Sequence, residues 1–299
     1  MKNKMITKKL NNYSVITCDN LTISVGPKKQ KSILIDKFNF SFGKSKIYAI
    51  VGSSGVGKTT LVNHFNGLKR SKQGQIFVKD YLIDGHKRKL RNYKKIRKNV
   101  GLVFQFAEYQ IFKDTVEKDI MYGPINYYVN KQKAKQLASK YMYLVRLDRN
   151  LLKVNPFDLS HGQQRLVAIA GILSIESDVV IFDEPCAGLD PAGQKHINNI
   201  IIDLKKQGKT VIIITHNMDN VLELADEVLV LHKQKLYASG NPYSIFTNQQ
   251  LLKDTELATP HIIDLINKLV NKNKVYLSLL KAQPRNINQL AKLLKKGGY

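Results

Sequence analysis

The octapeptide Gly52-Ser53-Ser54-Gly55-Val56-Gly57-Lys58-Thr59 constrains the fold of this chain more than any other segment. Its glycines let backbone N–H groups close around phosphate oxygens, and a following helix adds its positive N-terminus. The apolar run Lys46 to Val51 before it reads as a buried strand. Thr59 to Leu68 after it reads as a helix stopped near Gly67. A strand that passes through a helix to its next neighbour builds a parallel sheet with helices on its faces. The nucleotide-binding stretch is therefore read as Gly52, Ser53, Ser54, Gly55, Val56, Gly57, Lys58, Thr59 and Thr60. Lys58 is expected on the β- and γ-phosphates, and the Thr59 hydroxyl on Mg²⁺.

Later segments fit the same sheet. Val179-Val180-Ile181-Phe182 is a fully apolar strand that ends in Asp183 and Glu184. Paired carboxylates at a strand's C-terminal end suit a nucleotide site. Asp183 is expected to hold Mg²⁺, and Glu184 to orient or deprotonate the attacking water. Helix 192–207, strand 210–215, helix 217–225 and strand 227–231 follow in alternation. If strand 210–215 lies beside the carboxylate strand, His216 falls near the γ-phosphate. Gln105 ends another strand, Val100 to Gln105, and touches Mg²⁺ or the water in the same reading.

The first part of the chain reads differently. Residues 13–25 and 31–42 are rich in Val, Ile and Phe and read as antiparallel strands joined through Gly26-Pro27-Lys28-Lys29. Residues 74–84 read as another strand pair. From about 96 to 165 the pattern becomes helical and reads as an inserted subdomain. Beyond Asn241, Ser244 to Lys253, His261 to Val270 and Ile287 to Lys296 have helical spacing, separated by Pro260 and Pro284.

The 299 residues carry a net charge of +25. Such a surplus suits an anionic partner, either nucleic acid or an anionic membrane surface. A lysine-rich compositional bias explains it equally well, because the lysines are scattered. No apolar run approaches the roughly 18 residues of a membrane-spanning helix. Met1 to Leu10 is basic with no apolar stretch behind it, so no secretory signal is expected. Cys18 and Cys186 make neither a metal spacing nor a disulfide framework.

Leu159-Ser160-His161-Gly162-Gln163 lies just before the carboxylate strand. With the phosphate loop, Gln105, Val179 to Glu184, Gly188-Leu189-Asp190 and His216, it makes roughly residues 15–240 resemble the ABC ATPases. The resemblance implies an α/β P-loop NTPase core with an antiparallel β subdomain, an inserted helical subdomain and a helical C-terminal extension. The boundaries expected are 1–12 for a disordered basic N-terminus, 13–240 for the ATPase domain and 241–299 for the extension. It implies ATP and Mg²⁺ as ligands and His216 as the switch histidine. It also implies that Ser160, His161, Gly162 and Gln163 contact ATP held by another subunit, with Asp190 at the dimer seam.

A narrower match is carried by Val103 to Phe112, Thr115 to Ile120 and Val167 to Leu173. These segments are similar to the ATPases of energy-coupling-factor importers, which take up vitamins or metal ions. Phe106 points to the second of their two ATPase types. The resemblance implies three partners: a first-type ATPase in a heterodimer, a transmembrane coupling protein seated near residues 105–125, and an exchangeable membrane substrate-binding protein. It implies a peripheral position on the cytoplasmic face of the membrane. The sequence departs from the family at His161, usually glycine, at Ala107, usually proline, and at Cys186, usually threonine. Val25 stands about where many relatives stack an aromatic ring on adenine, so weaker adenine selectivity is expected unless Tyr13 or another ring substitutes. The alternative is a soluble ABC ATPase acting on nucleic acid or ribosomes. Translation-type relatives usually carry two phosphate loops, and this chain has one.

Overall fold

A computed structural model of the chain describes residues 14–27, 30–86 and 92–296. The expected basic N-terminus, Tyr13 and the connecting Lys28 and Lys29 lie outside the described residues. The described chain opens with β1 (Ser14–Val25), β2 (Ser32–Gly43) and β3 (Ile47–Val51), then the phosphate loop and α1 (Lys58–Phe65). There follow β4 (Gln73–Val78), β5 (Tyr81–Ile83), α2 (Tyr93–Asn99), β6 (Val100–Val103), α3 (Val116–Asn126), α4 (Lys131–Leu144) and α5 (His161–Leu173). The alternating part is β7 (Val179–Asp183), α6 (Pro191–Lys206), β8 (Thr210–Ile214), α7 (Met218–Leu224), β9 (Glu227–His232) and β10 (Lys235–Gly240). The chain then continues through α8 (Pro242–Phe246), α9 (Gln249–Thr255), α10 (His261–Lys272), α11 (Leu277–Ala282) and α12 (Ile287–Lys296).

Among the described residues the strands form two sheets, one of order β2-β1-β4-β5 and one of order β10-β9-β3-β8-β7-β6. The first is antiparallel throughout. The second is parallel except for β10, which folds back against β9. Its strands β3, β7 and β8 are buried at every position because both faces are covered. Alternate residues serve two cores. Ile47, Ala49, Val51, Val180, Phe182, Val211 and Ile213 face the larger, mostly helical core. Tyr48, Ile50, Val179, Ile181, Ile212 and Ile214 face the core shared with α1 and the antiparallel sheet.

Several expectations shift in detail. Within 96–165, β6 belongs to the parallel sheet, and the helices that stand apart from it run from a 3₁₀ turn at Ala107–Gln110 to the end of α5. Strand β10 is missing from the sequence reading. Its burial alternates between exposed and half-buried, so it carries little apolar signal. The stretch read as one helix from Ser244 to Lys253 is two, because Asn248 caps a new helix by accepting from Leu251 N. Helix α11 is also unforeseen. The part beyond residue 240 is not held apart from the rest. Tyr243, Ile245, Phe246, Leu251 and Ile263 belong to the large core, and only Ile266, Leu279 and Leu290 form a small one of their own.

Candidate functional site

The phosphate loop joins β3 to α1 and takes its shape from two glycines. Gly52 has φ 147°, and a Cβ there would lie 2.3 Å from the Leu231 carbonyl oxygen. Gly57 precedes α1 in a left-handed conformation, φ 107°, that L side chains rarely adopt. Helix α1 has no side-chain cap, unlike α3, α4, α5, α6 and α7. Its first N–H groups are left to another acceptor, and an anion suits them. Lys58 Nζ donates to the carbonyls of Gly52 and Ser53 at 2.8 and 3.0 Å, which holds the ammonium over the loop. Burial lowers the Lys58 pKa, while Glu184 and Asp183 pull it up.

The carboxylates arrive from the neighbouring strands. Parallel pairing sets Asp183 of β7 against Ile214 of β8, and β8 lies beside β3. The C-terminal ends of three strands therefore meet at one edge. Asp183 is buried, which raises its pKa, and the Thr59 side chain bonds to it and opposes that shift. Glu184 N donates to Ile214 O at 2.9 Å. Its φ is 48°, a left-handed conformation that costs an L-residue about 1–2 kcal/mol. Glu184 Oε2 lies 3.0 Å from Nδ1 of the exposed His216. β7 and β8 are neighbours as expected, and His216 lies beside the Glu184 carboxylate.

Asp183 and Thr59 bring two hard oxygen donors side by side. Among the described residues no three His, Cys, Asp or Glu side chains converge as a metal cage. A carboxylate and a hydroxyl beside a phosphate cradle fit Mg²⁺, which takes few protein ligands and completes its shell with phosphates and water. Gln105 is exposed just after β6.

The segment Ser160 to Gln163 is built separately. Ser160 caps α5, accepting from Gln163 N at 3.4 Å, while Gln163 Oε1 accepts from Ser160 N at 3.1 Å. This reciprocal capping box accounts for Ser and Gln at that spacing within one chain. His161 and Gly162 are exposed, and a Cβ on Gly162 would meet nothing within 4 Å. Among the described residues no hydrogen bond joins Ser160, His161, Gly162 or Gln163 to the phosphate loop. Asp190 likewise caps α6, accepting from Gly193 N at 2.8 Å.

Arg165 was missed by the sequence reading. It is buried on α5, and its guanidinium donates to three backbone carbonyls: Ala187 at 2.8 Å, Gln105 at 3.0 Å and Glu184 at 3.2 Å. The available signal was a lone charge followed by the apolar run Leu166 to Ala170. An exposed apolar cluster lies beside Gln105. Phe106, Tyr109, Phe112, Tyr122 and Ile125 are all exposed, and Lys113 Nζ sits 4.9 Å from the Phe112 and Tyr122 ring centres.

The ABC transporter family model matches residues 35–187, just over half the chain. The "Energy-coupling factor transporter ATP-binding protein EcfA2" of Mycoplasma pneumoniae is 48% identical over 283 residues, covering 94% of this chain and 93% of that protein. The protein of the same name in Mycoplasma genitalium is 46% identical, covering 99% and 98%. Among solved structures, cbiO1 of Clostridium perfringens, described as part of the ABC transporter complex cbiONQ, superposes with a TM-score of 0.70. It is 28% identical and covers 85% of this chain and 99% of its own. A dimeric ATP-binding cassette solved with ADP and Pi shares the fold, with a TM-score of 0.68 at 21% identity over 76% of this chain and 98% of its own. The chain belongs to the ABC transporter ATPases, within their energy-coupling-factor group of ATP-binding subunits.

Proposed function

We propose that this subunit binds and hydrolyses ATP as one half of a heterodimer, and that closure of the pair powers uptake of a vitamin or metal ion. One observation carries the reading. The phosphate loop, Asp183, Glu184 and His216 converge within the chain, whereas the signature at the start of α5 faces outward with Gly162 open to approach. A second ATPase subunit, with ATP on its own loop, fits that open turn.

In this reading the loop N–H groups, Gly52 to Thr60, hold the phosphates, and Lys58 leaves its two carbonyl partners for the β- and γ-phosphate oxygens. Thr59 and Asp183 would hold Mg²⁺, with Gln105 completing its side of the site. The bound ion offsets negative charge on the phosphate oxygens. Glu184 accepts the proton of the water that attacks the γ-phosphorus, and the γ-phosphoryl group leaves ADP as phosphate. His216, at 3.0 Å from Glu184, fixes that carboxylate against the water. Ser160, His161, Gly162 and Gln163 act on the partner's ATP, exchanging their capping bonds for phosphate contacts, with Asp190 at the seam.

The exposed cluster Phe106, Tyr109, Phe112, Tyr122 and Ile125 suits an apolar helix of a transmembrane coupling protein. That protein would in turn hold an exchangeable substrate-binding protein. Among the described residues no helix is long and apolar enough to cross a membrane. In this reading the chain attaches peripherally, on the cytoplasmic face. Arg165 connects the three parts that must move together: α5, the Gln105 segment and the carbonyl of Glu184. It is read as the tie between the signature helix and the hydrolytic edge.

Five outcomes test these roles. The complex purified from membranes in mild detergent should contain, by mass spectrometry, a second ATPase and a transmembrane chain; recovery without any transmembrane partner sinks the transporter role. Glu184→Gln should keep ATP binding in a filter assay while hydrolysis falls by roughly 10²–10⁴. Arg165→Met should lower the urea midpoint, because each buried carbonyl left unpaired costs about 1–3 kcal/mol, and should slow ATP turnover. Arg165→Lys should rescue it only in part, since an ammonium lacks the planar fork. The composite site that uses His161 should be the slower one, since glycine there lets the helix N–H groups approach phosphate closely and losing one such donor costs roughly 10²–10³ in rate. In single-turnover measurements His161→Gly should then speed only that site; equal rates at both sites, unmoved by the substitution, remove the idea.

A further inference from the structure

Helix α7 is only seven residues long, yet it begins two residues after His216. Short helices are marginal on their own and depend on what holds them. Asn217 lies between His216 and α7, capping the helix through Asn220 N at 3.1 Å and donating its own N–H to Thr215 Oγ1 at 3.1 Å. Any slide or rotation of α7 therefore passes directly to His216 and to its 3.0 Å contact with Glu184.

The part of the chain beyond residue 240 grips α7 at both ends. At the start, His261 donates its backbone N–H to Asp219 Oδ1 at 2.7 Å, and its ring Nδ1 lies 2.5 Å from Asp219 Oδ2. At the finish, Arg285 Nη1 donates to the Ala225 carbonyl at 2.8 Å, and Asn286 donates to Glu223 at 3.4 Å. Both grips have fixed bases. Ile263, two residues from His261, is fully buried in the large core. Pro284, beside Arg285, accepts from the Tyr243 hydroxyl at 2.7 Å.

We infer that the C-terminal extension is a positioning element for hydrolysis: His261 through Asp219, and Arg285 through the Ala225 carbonyl, hold α7 so that His216 meets Glu184. The inference rests on His216 and Glu184 being the hydrolytic pair. His261 and Asp219 touch no substrate and act only through the helix. The charged groups that face His261 are Asp219 on α7 and Asp264 and Lys268 on its own helix. The hydrogen bond and charge of Asp219 raise the His261 pKa, Asp264 adds to this, and Lys268 opposes it. The charged form of the pair is therefore complete below that raised pKa and is lost as pH rises through it.

The test measures ATP turnover by the full chain in its membrane-purified complex. The His261 side chain is 92% exposed, so its removal should leave the melting temperature unchanged. In His261→Ala, kcat should fall about tenfold, less than the roughly 100-fold that a 1 Å misplacement can cost, with the KM for ATP unmoved. The wild-type kcat should decline as pH rises through the His261 pKa, and His261→Ala should lack that limb. His261→Gln, which keeps an N–H donor for Asp219, should recover part of kcat without the limb. Arg285→Ala should lower kcat in the same direction. If His216→Ala abolishes hydrolysis while His261→Ala matches wild type at every pH, the positioning role is wrong and the hydrolytic pair stands. If His261→Ala lowers kcat, melting temperature and ATP affinity together, the contact is merely structural and the inference fails. If His216→Ala hydrolyses ATP at the wild-type rate, the hydrolytic pair and the positioning role fall together.

Discussion

Parallel pairing of β3, β8 and β7 is the constraint on which the rest depends. It brings three strand ends to one edge in register, with Ala49 beside Ile213 and Ile181 beside Ile212. Each strand then delivers a different group. β3 delivers the loop and Lys58, β7 delivers Asp183 and Glu184, and β8 delivers His216. A slip of one residue in any strand would exchange its two apolar faces and turn these groups away. Two cores, one on each face, make such a slip costly. The precision of the edge is thus paid for by aliphatic side chains far from any phosphate.

Much of this was legible because it depends on local rules. The glycines of the loop, the apolar strand ending in two acids, and the alternation of strands and helices after residue 179 each have a short-range cause. So do the caps. Ser160 and Gln163 stand at capping-box spacing, and Asp190 precedes Pro191, both of which announce a helix start. The structure shows the local meaning of those residues, as helix caps, and contact with a second chain's ATP is the role proposed for them.

What was not legible depends on distant contacts. Arg165 looks like an ordinary charge on a helix until Gln105, Glu184 and Ala187 converge on it from two loops. Strand β10 exists because β9 offers an open edge, not because its own residues demand a strand. Similarly, nothing local links His261 with Asp219, 42 positions earlier. The surplus of positive charge is scattered along the sequence, and at the site Lys58 is matched by Asp183 and Glu184.

The large core also crosses residue 240. Tyr243, Ile245, Phe246 and Ile263 pack among the same side chains that support β7 and β8. A chain cut after the last strand would thus expose a row of bare aliphatic and aromatic surface on the helical face of the sheet. The stretch that shares the family's motifs and the stretch that can fold by itself have different ends. In this subunit the motifs end at His216, whereas the large core reaches at least to Ile263.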